Sequence, residues 1–353
     1  MATLRTASYK LEFRAYRRNF LKPVVTAHGT WTAREGVIVR LTDKAGCMGY
    51  GEAAPIPHFT TETAANDWKW LRQAPKQISR REIQETPRRL ACVQWALSCA
   101  LAMLEGRLSP PAKAKKLTMA VLLPAGTEAL QAMERKSAEG YRIFKWKVGV
   151  KSPHGEISLL EKLIEAMPKS ATLRLDANGG LSRAEWMEWC EGLQALGGAV
   201  RRIEFFEQPW PPGKGVSGWR EQARLAAQAP VPVALDESVA GLTALKKARS
   251  VRWRGPLVVK PSLLGEMDEF MRWRSPTRAN FIYSSALETS VGLHALLFLA
   301  ATDPQAGRRA FGYGMRNAFP DDGLLLPMHE LRPNLAPSRL TADDFSELWN
   351  RLA

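Results

Sequence analysis

Lys145 and Lys147 stand two residues apart in YRIFKWKVGV, Tyr141 to Val150. Aromatic and β-branched residues dominate this stretch and a glycine closes it, which predicts a buried strand. In an extended chain residues i and i+2 share a face, so both ammonium groups point the same way. Paired cations are costly in a core and have little purpose on most surfaces. They are useful where a lysine must act as a base, because neighbouring positive charge and desolvation both bring its pKa towards neutrality.

Further along, apolar runs end on Asp176 in LRLDANGG, Glu207 in EFFEQP, Asp236 in VALDES and Lys260 in VVKPSLLG. Any one of these charges could be a helix cap or a rim ion pair. Their recurrence at the same place in successive strands points to a shared site. Three carboxylates on adjacent strands repel one another unless a cation lies among them. Hard oxygen ligands suit Mg²⁺, with Mn²⁺ as a substitute. Zinc is disfavoured because no His or Cys accompanies the carboxylates, and His28, His58, His154, His294 and His329 are too scattered to form a ligand pair. A metal that binds a substrate carboxylate acidifies the adjacent carbon. Lys147, with Lys145 and the metal as neighbours, is then the expected base. Lys260, four strands on, would approach the opposite face of the substrate.

These residues need strands that converge. From Leu117 the chain alternates strand candidates (LTMAVLL, IFKWKVG, TLRLDAN, IEFFEQP, VPVALDES, PLVVKPSL, NFIYSSALE) with amphipathic helices such as ISLLEKLIEAM and RAEWMEWCEGLQAL. The spacing of roughly 25 to 30 residues is that of a strand–helix unit. Such units, with an irregular last strand near AFGYGM, predict an α/β fold with a (β/α) barrel, whose βα loops build the active site on one face. A doubly wound open sheet is the alternative, but no Gly-rich loop follows the first strand. Before Leu117, KLEFRAYRRNF, TWTAREGVIVRLTD and GCMGYGEAAP predict antiparallel strands, followed by helices from about Glu62 to Leu104 that include the amphipathic PRRLACVQWALSCALAMLE. RLSPPAKAKK, Arg107 to Lys116, reads as a hinge.

The 353 residues suffice for one large α/β domain or a barrel with an appendage, and 45% hydrophobic with 24% charged residues is ordinary globular composition. No secretory signal is expected at the N-terminus. The longest apolar stretch, Val291 to Ala301, is too short for a bilayer, so a cytoplasmic protein with no membrane partner is expected. The net charge of +15 is scattered through segments read as helical, such as Arg249–Arg254 and Ile78–Leu90, without a nucleic-acid-binding motif. It predicts a solvated basic surface able to attract an anionic small substrate, not a nucleic-acid groove. Cys47, Cys92, Cys99 and Cys190 show no CxxC spacing and read as structural thiols, with Cys92 and Cys99 sharing a packed helix face.

FKWKVG, LRLDANGG, EFFEQP, ALDES, VVKPSLLG and SSALETSVG, in this order and spacing, resemble the enolase superfamily in its Lys-x-Lys, muconate-lactonizing-enzyme-like branch. A Lys or His base with Mg²⁺ is a known feature of that superfamily. GYGEAAPIPHFTTET resembles the family's capping-domain loop. The resemblance implies a barrel of the modified TIM type with an N-terminal α+β capping domain over residues 1–106, the barrel over 117–318, and a C-terminal segment, 319–353, packing back on the cap. It implies that Asp176, Glu207 and Asp236 ligate Mg²⁺, with Asn178 and Glu237 supporting them from behind and Arg174 acting electrostatically. The wording is most like branch members that dehydrate 2-succinyl-6-hydroxy-2,4-cyclohexadiene-1-carboxylate to 2-succinylbenzoate, a step in menaquinone and phylloquinone synthesis. Lys147 would abstract the proton α to the ring carboxylate and return a proton to the departing hydroxyl. Lys260 would stabilise the enediolate by a cation–π contact, and Lys145 would tune Lys147. Ser284 and Ser285 would lie near the succinyl group, and KPVVTAHGTWTAREG would close over this small anionic dicarboxylate.

Phe206 departs from the family's smaller aliphatic residue, which should alter packing rather than chemistry. The last strand lacks the Asp-x-Asp pair associated with dipeptide epimerases. N-succinylamino acid racemisation, dipeptide epimerisation and cycloisomerisation remain the alternative activities, and the oligomeric state stays open between monomer and homo-oligomer.

Overall fold

The computed structural model describes residues 7–352, except 27–28, 58, 110–115, 276–279, 305–308, 313–317, 328–332 and 336–339. Most of the hinge segment, His28, His58, His329 and Tyr313–Met315 of the irregular last strand lie outside the described residues.

The chain opens with β1 (Ser8–Thr26), β2 (Gly29–Thr42), β3 (Met48–Ala53), helix α1 (Ala64–Gln73) and β4 (Gln77–Ser79), and the four strands form an antiparallel sheet in the order β3-β2-β1-β4. The expected helical reading of Ile78 is corrected here. It pairs with Tyr9 on the free edge of β1, and helix begins only at α2 (Arg80–Gln84), behind a Ser79–Glu82 capping box. Over residues 36–39 strand β2 is buried on both faces. Val37, Val39 and Leu41 pack under the sheet, while Ile38 joins Tyr16 and Tyr50 in a separate cluster on the other side.

Helix α3 (Ala91–Leu104) is not the amphipathic helix its sequence suggested, since every residue from Cys92 to Ala102 is buried. It is sandwiched between two layers. On one side Gly49 and Gly51 of β3 let it approach the strand backbone, where a Cβ would run into the carbonyls of Ala100 and Ala96. On the other side the Cys99 thiol is 3.9 Å from Met267 Sδ. Cys92 and Cys99 are both buried, but in different clusters, Cys92 with the cap sheet and Cys99 with the strand–helix core.

Strands and helices then alternate: β5 (Leu117–Leu123), α4 (Glu128–Ala138), β6 (Ile143–Lys147), α5 (Pro153–Ala166), β7 (Thr172–Asp176), α6 (Arg183–Ala195), β8 (Ile203–Glu207), α7 (Gly215–Ala227), β9 (Val233–Ala234), α8 (Leu242–Ser250), β10 (Leu257–Val259), α9 (Met267–Arg274), β11 (Phe281–Tyr283), α10 (Ser290–Thr302) and β12 (Phe311–Gly312). A short β13 (Asn334–Leu335) pairs antiparallel with β5, and α11 (Ala342–Arg351) ends the chain. Strands β5 to β9 pair in succession and in parallel, β12 pairs with β5, and β10 pairs with β11. Single bridges, Leu235–Leu257 and Ser284–Gly312, connect the two sheets. The result is an α/β fold built on a curled parallel sheet.

Alternation along these strands separates packing from chemistry. Phe144, Trp146, Leu173, Leu175 and Phe206 belong to the large core shared with the helices, whereas Phe205, Ala234, Val258 and Ile282 form a small cluster of their own. Phe206 meets Trp186 and Trp189 of α6 edge-on, with centroids 5.2 and 5.3 Å away. Its bulk is therefore absorbed by the helix layer. Such contacts add about 0.5–1.5 kcal/mol each beyond burial.

Helix α11 packs on the first sheet. Phe345 and Trp349 lie against Tyr50, and Arg14 donates to the Trp349 carbonyl at 2.7 Å. Among the described residues no helix is long and apolar enough to cross a membrane.

Candidate active site

The parallel register sets the site. Lys147 is paired with Asp176, Asp176 with Glu207, and Glu207 with Ala234, so the last residues of β6, β7 and β8 stand at one level. Asp236 follows two residues after the end of β9, and Lys260 follows β10 directly. All are at strand C-termini, where helices begin and the backbone opens to receive a ligand.

The carboxylates and lysines interact closely. Lys145 Nζ is 2.7 Å from Asp176 Oδ2 and 2.7 Å from Glu207 Oε1. Lys260 donates to Asp236 Oδ1. Asn178, in a left-handed conformation with φ 46°, gives its backbone N–H to Asp176 Oδ1 at 3.0 Å. Its Nδ2 donates to both Asp176 Oδ2 and Glu237 Oε1 at 3.2 Å. Asn178 thus bridges one expected ligand and the other expected supporting residue.

Electrostatics follow from this crowding. Burial, reinforced by the Asp176 and Asp236 charges, pushes Glu207 up to about 8 against the pull of Lys145. Burial, with Asp236 and Asp176, likewise pushes Glu237 up to about 8. Burial works against the Lys145 ammonium, but Asp176, Glu207 and Asp236 outweigh it and its pKa is raised. For Lys147 burial prevails over Asp176 and Glu237, Lys145 adds to it, and the pKa is lowered.

Among the described residues no three His, Cys, Asp or Glu side chains are gathered into a ready-made metal cage. The Lys145 and Lys260 ammonium groups already engage the carboxylates. The donors nevertheless suit a hard divalent cation. They are all oxygens, burial and the neighbouring Asp176 and Asp236 charges raise the pKa of Glu207 and Glu237, and Glu237 Oε2 is buried without a hydrogen-bond partner among the described residues.

Other expected site residues are engaged elsewhere. Arg174 lies two positions below Asp176, with Nε 2.7 Å from Glu204 Oε2 and Nη2 donating to the Ala310 carbonyl at 2.9 Å. Ser284 and Ser285 follow β11 at the same end of the sheet. Ser285 Oγ donates to Glu288 Oε2 at 2.6 Å and accepts from Leu287 N at 2.9 Å, while Ser284 N donates to the Val259 carbonyl at 2.9 Å.

Two residues escaped the sequence reading. The Phe59 ring, from the cap loop, has Lys260 Nζ 4.5 Å from its centroid. Only its aromatic character within the cap-loop motif hinted at a role. Glu52 of β3 accepts from Thr289 N at 3.0 Å, Gly292 N at 2.9 Å and Tyr16 Oη at 2.5 Å, seating a carboxylate on the N-terminus of α10. It ties the first sheet to the loop carrying Ser284 and Ser285.

The enolase C-terminal domain-like family model matches residues 128–315 and the MenC N-terminal domain model matches 10–104. An o-succinylbenzoate synthase from Thermosynechococcus vestitus is 32% identical over 97% of this chain and 98% of its own length. The crystal structure of o-succinylbenzoate synthase from Thermosynechococcus elongatus BP-1, complexed with Mg in the active site, superposes with TM-score 0.82 at 30% identity, covering 97% of this chain and 99% of the other. A muconate lactonizing enzyme from Mucobacterium smegmatis shares the fold, with TM-score 0.76 at 19% identity over 97% of this chain and 99% of its own. The chain belongs to the enolase superfamily, as a relative of the o-succinylbenzoate synthases.

Proposed function

We propose that this chain catalyses the Mg²⁺-dependent syn dehydration of 2-succinyl-6-hydroxy-2,4-cyclohexadiene-1-carboxylate to 2-succinylbenzoate, in the cytoplasm, for menaquinone or phylloquinone synthesis. The observation that carries this reading is the register placing Lys147, Asp176 and Glu207 side by side at adjacent strand ends, in a chain related over nearly its whole length to o-succinylbenzoate synthases.

Asp176, Glu207 and Asp236 would hold the cation, exchanging their present lysine contacts for it, with Asn178 and Glu237 orienting them from behind. When bound, Mg²⁺ would supply the positive charge that stabilises the electron density building on the substrate carboxylate. Lys147 takes the proton from the carbon next to that carboxylate, a task its lowered pKa suits. It then returns a proton to the departing hydroxyl, so that one water leaves and the ring becomes aromatic. Lys260 faces the ring from the other side, and Lys145 keeps Lys147 poised. Ser284 and Ser285 lie by the succinyl arm, and Arg174 acts at longer range through its charge.

The same reading divides the chain into a cap (1–106), a barrel (117–318) and a C-terminal segment (319–353) returning to the cap. The Leu235–Leu257 and Ser284–Gly312 bridges support a barrel closed through β10, β11 and β12. The test is loss of the diene chromophore in purified protein with Mg²⁺. Folded protein that leaves the diene intact would overturn the proposal.

A further inference from the structure

Gln208 follows Glu207 directly, is fully buried and has φ 37°, a left-handed backbone that a glutamine adopts only when its surroundings hold it there. Its backbone ties neighbouring strand ends together. The amide N–H donates to the Ala234 carbonyl at 2.9 Å, and the carbonyl accepts from Gly179 N at 2.7 Å. The side chain is equally engaged. Oε1 accepts from Asp236 N at 3.0 Å and Ser238 N at 3.1 Å. Nε2 donates to the Trp210 carbonyl and to Ser238 Oγ, both at 2.8 Å. An amide side chain is needed here, because the position must accept two N–H groups at one end and donate to two oxygens at the other.

We propose that Gln208 is a positioning residue that sets the spacing of the metal-binding carboxylates, an inference resting on the function given above. Through Gly179 it fixes the turn that follows Asp176. Through its own backbone it fixes the end of β8 beyond Glu207. Through Oε1 it fixes the backbone of Asp236. The backbones that carry three mutually repelling carboxylates are thereby tied together, so that the side chains need only leave their lysine partners to meet one ion, and Gln208 acts on metal affinity rather than on proton transfer.

The test measures Mg²⁺ binding by calorimetry without substrate, and separately kcat as a function of Mg²⁺. Gln208→Met keeps the length of the side chain and removes its hydrogen bonds. It is expected to bind Mg²⁺ about 10- to 100-fold more weakly, with kcat at saturating Mg²⁺ within about threefold of wild type. Ser238→Ala, which removes one partner of the amide, shifts affinity in the same direction by about two- to fivefold and decides the matter if Gln208→Met does not fold. Wild-type Mg²⁺ affinity in folded Gln208→Met, or in Ser238→Ala where the first variant fails to fold, overturns the proposal. So does a kcat that excess Mg²⁺ does not restore, since that would place Gln208 in the chemistry itself. Wild-type protein that binds Mg²⁺ without dehydrating the diene sinks the proposed function but leaves the affinity comparison readable.

Discussion

Lys147 lies directly across from Asp176 in the register between β6 and β7, and yet its pKa is lowered rather than raised. Burial accounts for most of this, and the charge of Lys145 contributes. A base must be unprotonated to act, so kcat/KM should rise with pH through a value below the ordinary lysine 10.5. Lys145→Met removes a cation that favours the neutral form of Lys147. Its loss moves the rising limb to higher pH. A limb that stays put or moves lower in the pH–rate profile would refute the tuning role.

Lys147→Ala should lower kcat by about 10²- to 10⁴-fold, the usual range for a lost acid–base group, and Lys260→Ala by about 10²- to 10³-fold, the range for a lost electrostatic stabiliser of the transition state. Both side chains stand at strand ends rather than in the apolar core, so urea midpoints measured with Mg²⁺ present, which would take over the Asp236 carboxylate that Lys260 now holds, should stay close to wild type. Near-normal turnover in either variant would remove the role proposed for that lysine.

Asp236→Asn should lose metal affinity before anything else, by roughly tenfold or more, given that residues behind metal ligands already cost 10- to 100-fold. Chelation of wild-type protein should abolish turnover, and added Mg²⁺ should restore it. Full activity of the variant at low Mg²⁺ would show that Asp236 is no ligand.

Glu52→Ala strips a buried acceptor from Thr289 N, Gly292 N and Tyr16 Oη. Each buried donor left unsatisfied costs about 1–3 kcal/mol, and water entering the space recovers part of that. A loss of about 2–4 kcal/mol in denaturant unfolding is expected. A change below about 0.5 kcal/mol, the level of an ordinary surface substitution, would mean that this carboxylate does not hold the first sheet to α10.

His294 is buried in α10, within 3.1 Å of the Leu108 carbonyl, and burial lowers its pKa to about 4. The unfolded chain takes up a proton near 6.5 while the folded protein resists until about 4. Stability is therefore complete above pH 6.5 and is lost as pH falls through this window, by up to roughly 3 kcal/mol. Denaturant midpoints between pH 7 and 4.5 should fall less steeply in His294→Gln than in wild type, and equal slopes would contradict the linkage.

The strand ends were legible because local rules govern them. An apolar run ending on a charge, repeated at strand–helix spacing, locates β6, β7 and β8 and the residues that close them. The period of two told which side chains share a face, and it placed Lys145 with Lys147. Where a segment's surroundings lay far away in the chain, local rules failed. Helix α3 looked one-sided until a second layer covered its other face. Ile78 looked helical until the edge of β1 offered hydrogen bonds. The partners of Arg174, Glu204 and the Ala310 carbonyl, were equally hidden, since both are remote in the chain.

By itself the sequence determined which charged residues would stand at the ends of buried strands, and hence the kind of chemistry on offer, because side-chain direction in a strand depends only on neighbours along the chain. Tertiary structure decided which of them meet. Lys145 reaches both Asp176 and Glu207, Lys260 takes Asp236 and Phe59, Gln208 holds Asp236, and Glu52 reaches Thr289. Those distances depend on strand register and on how the layers close, which are set by hydrogen bonds and packing between segments remote in sequence.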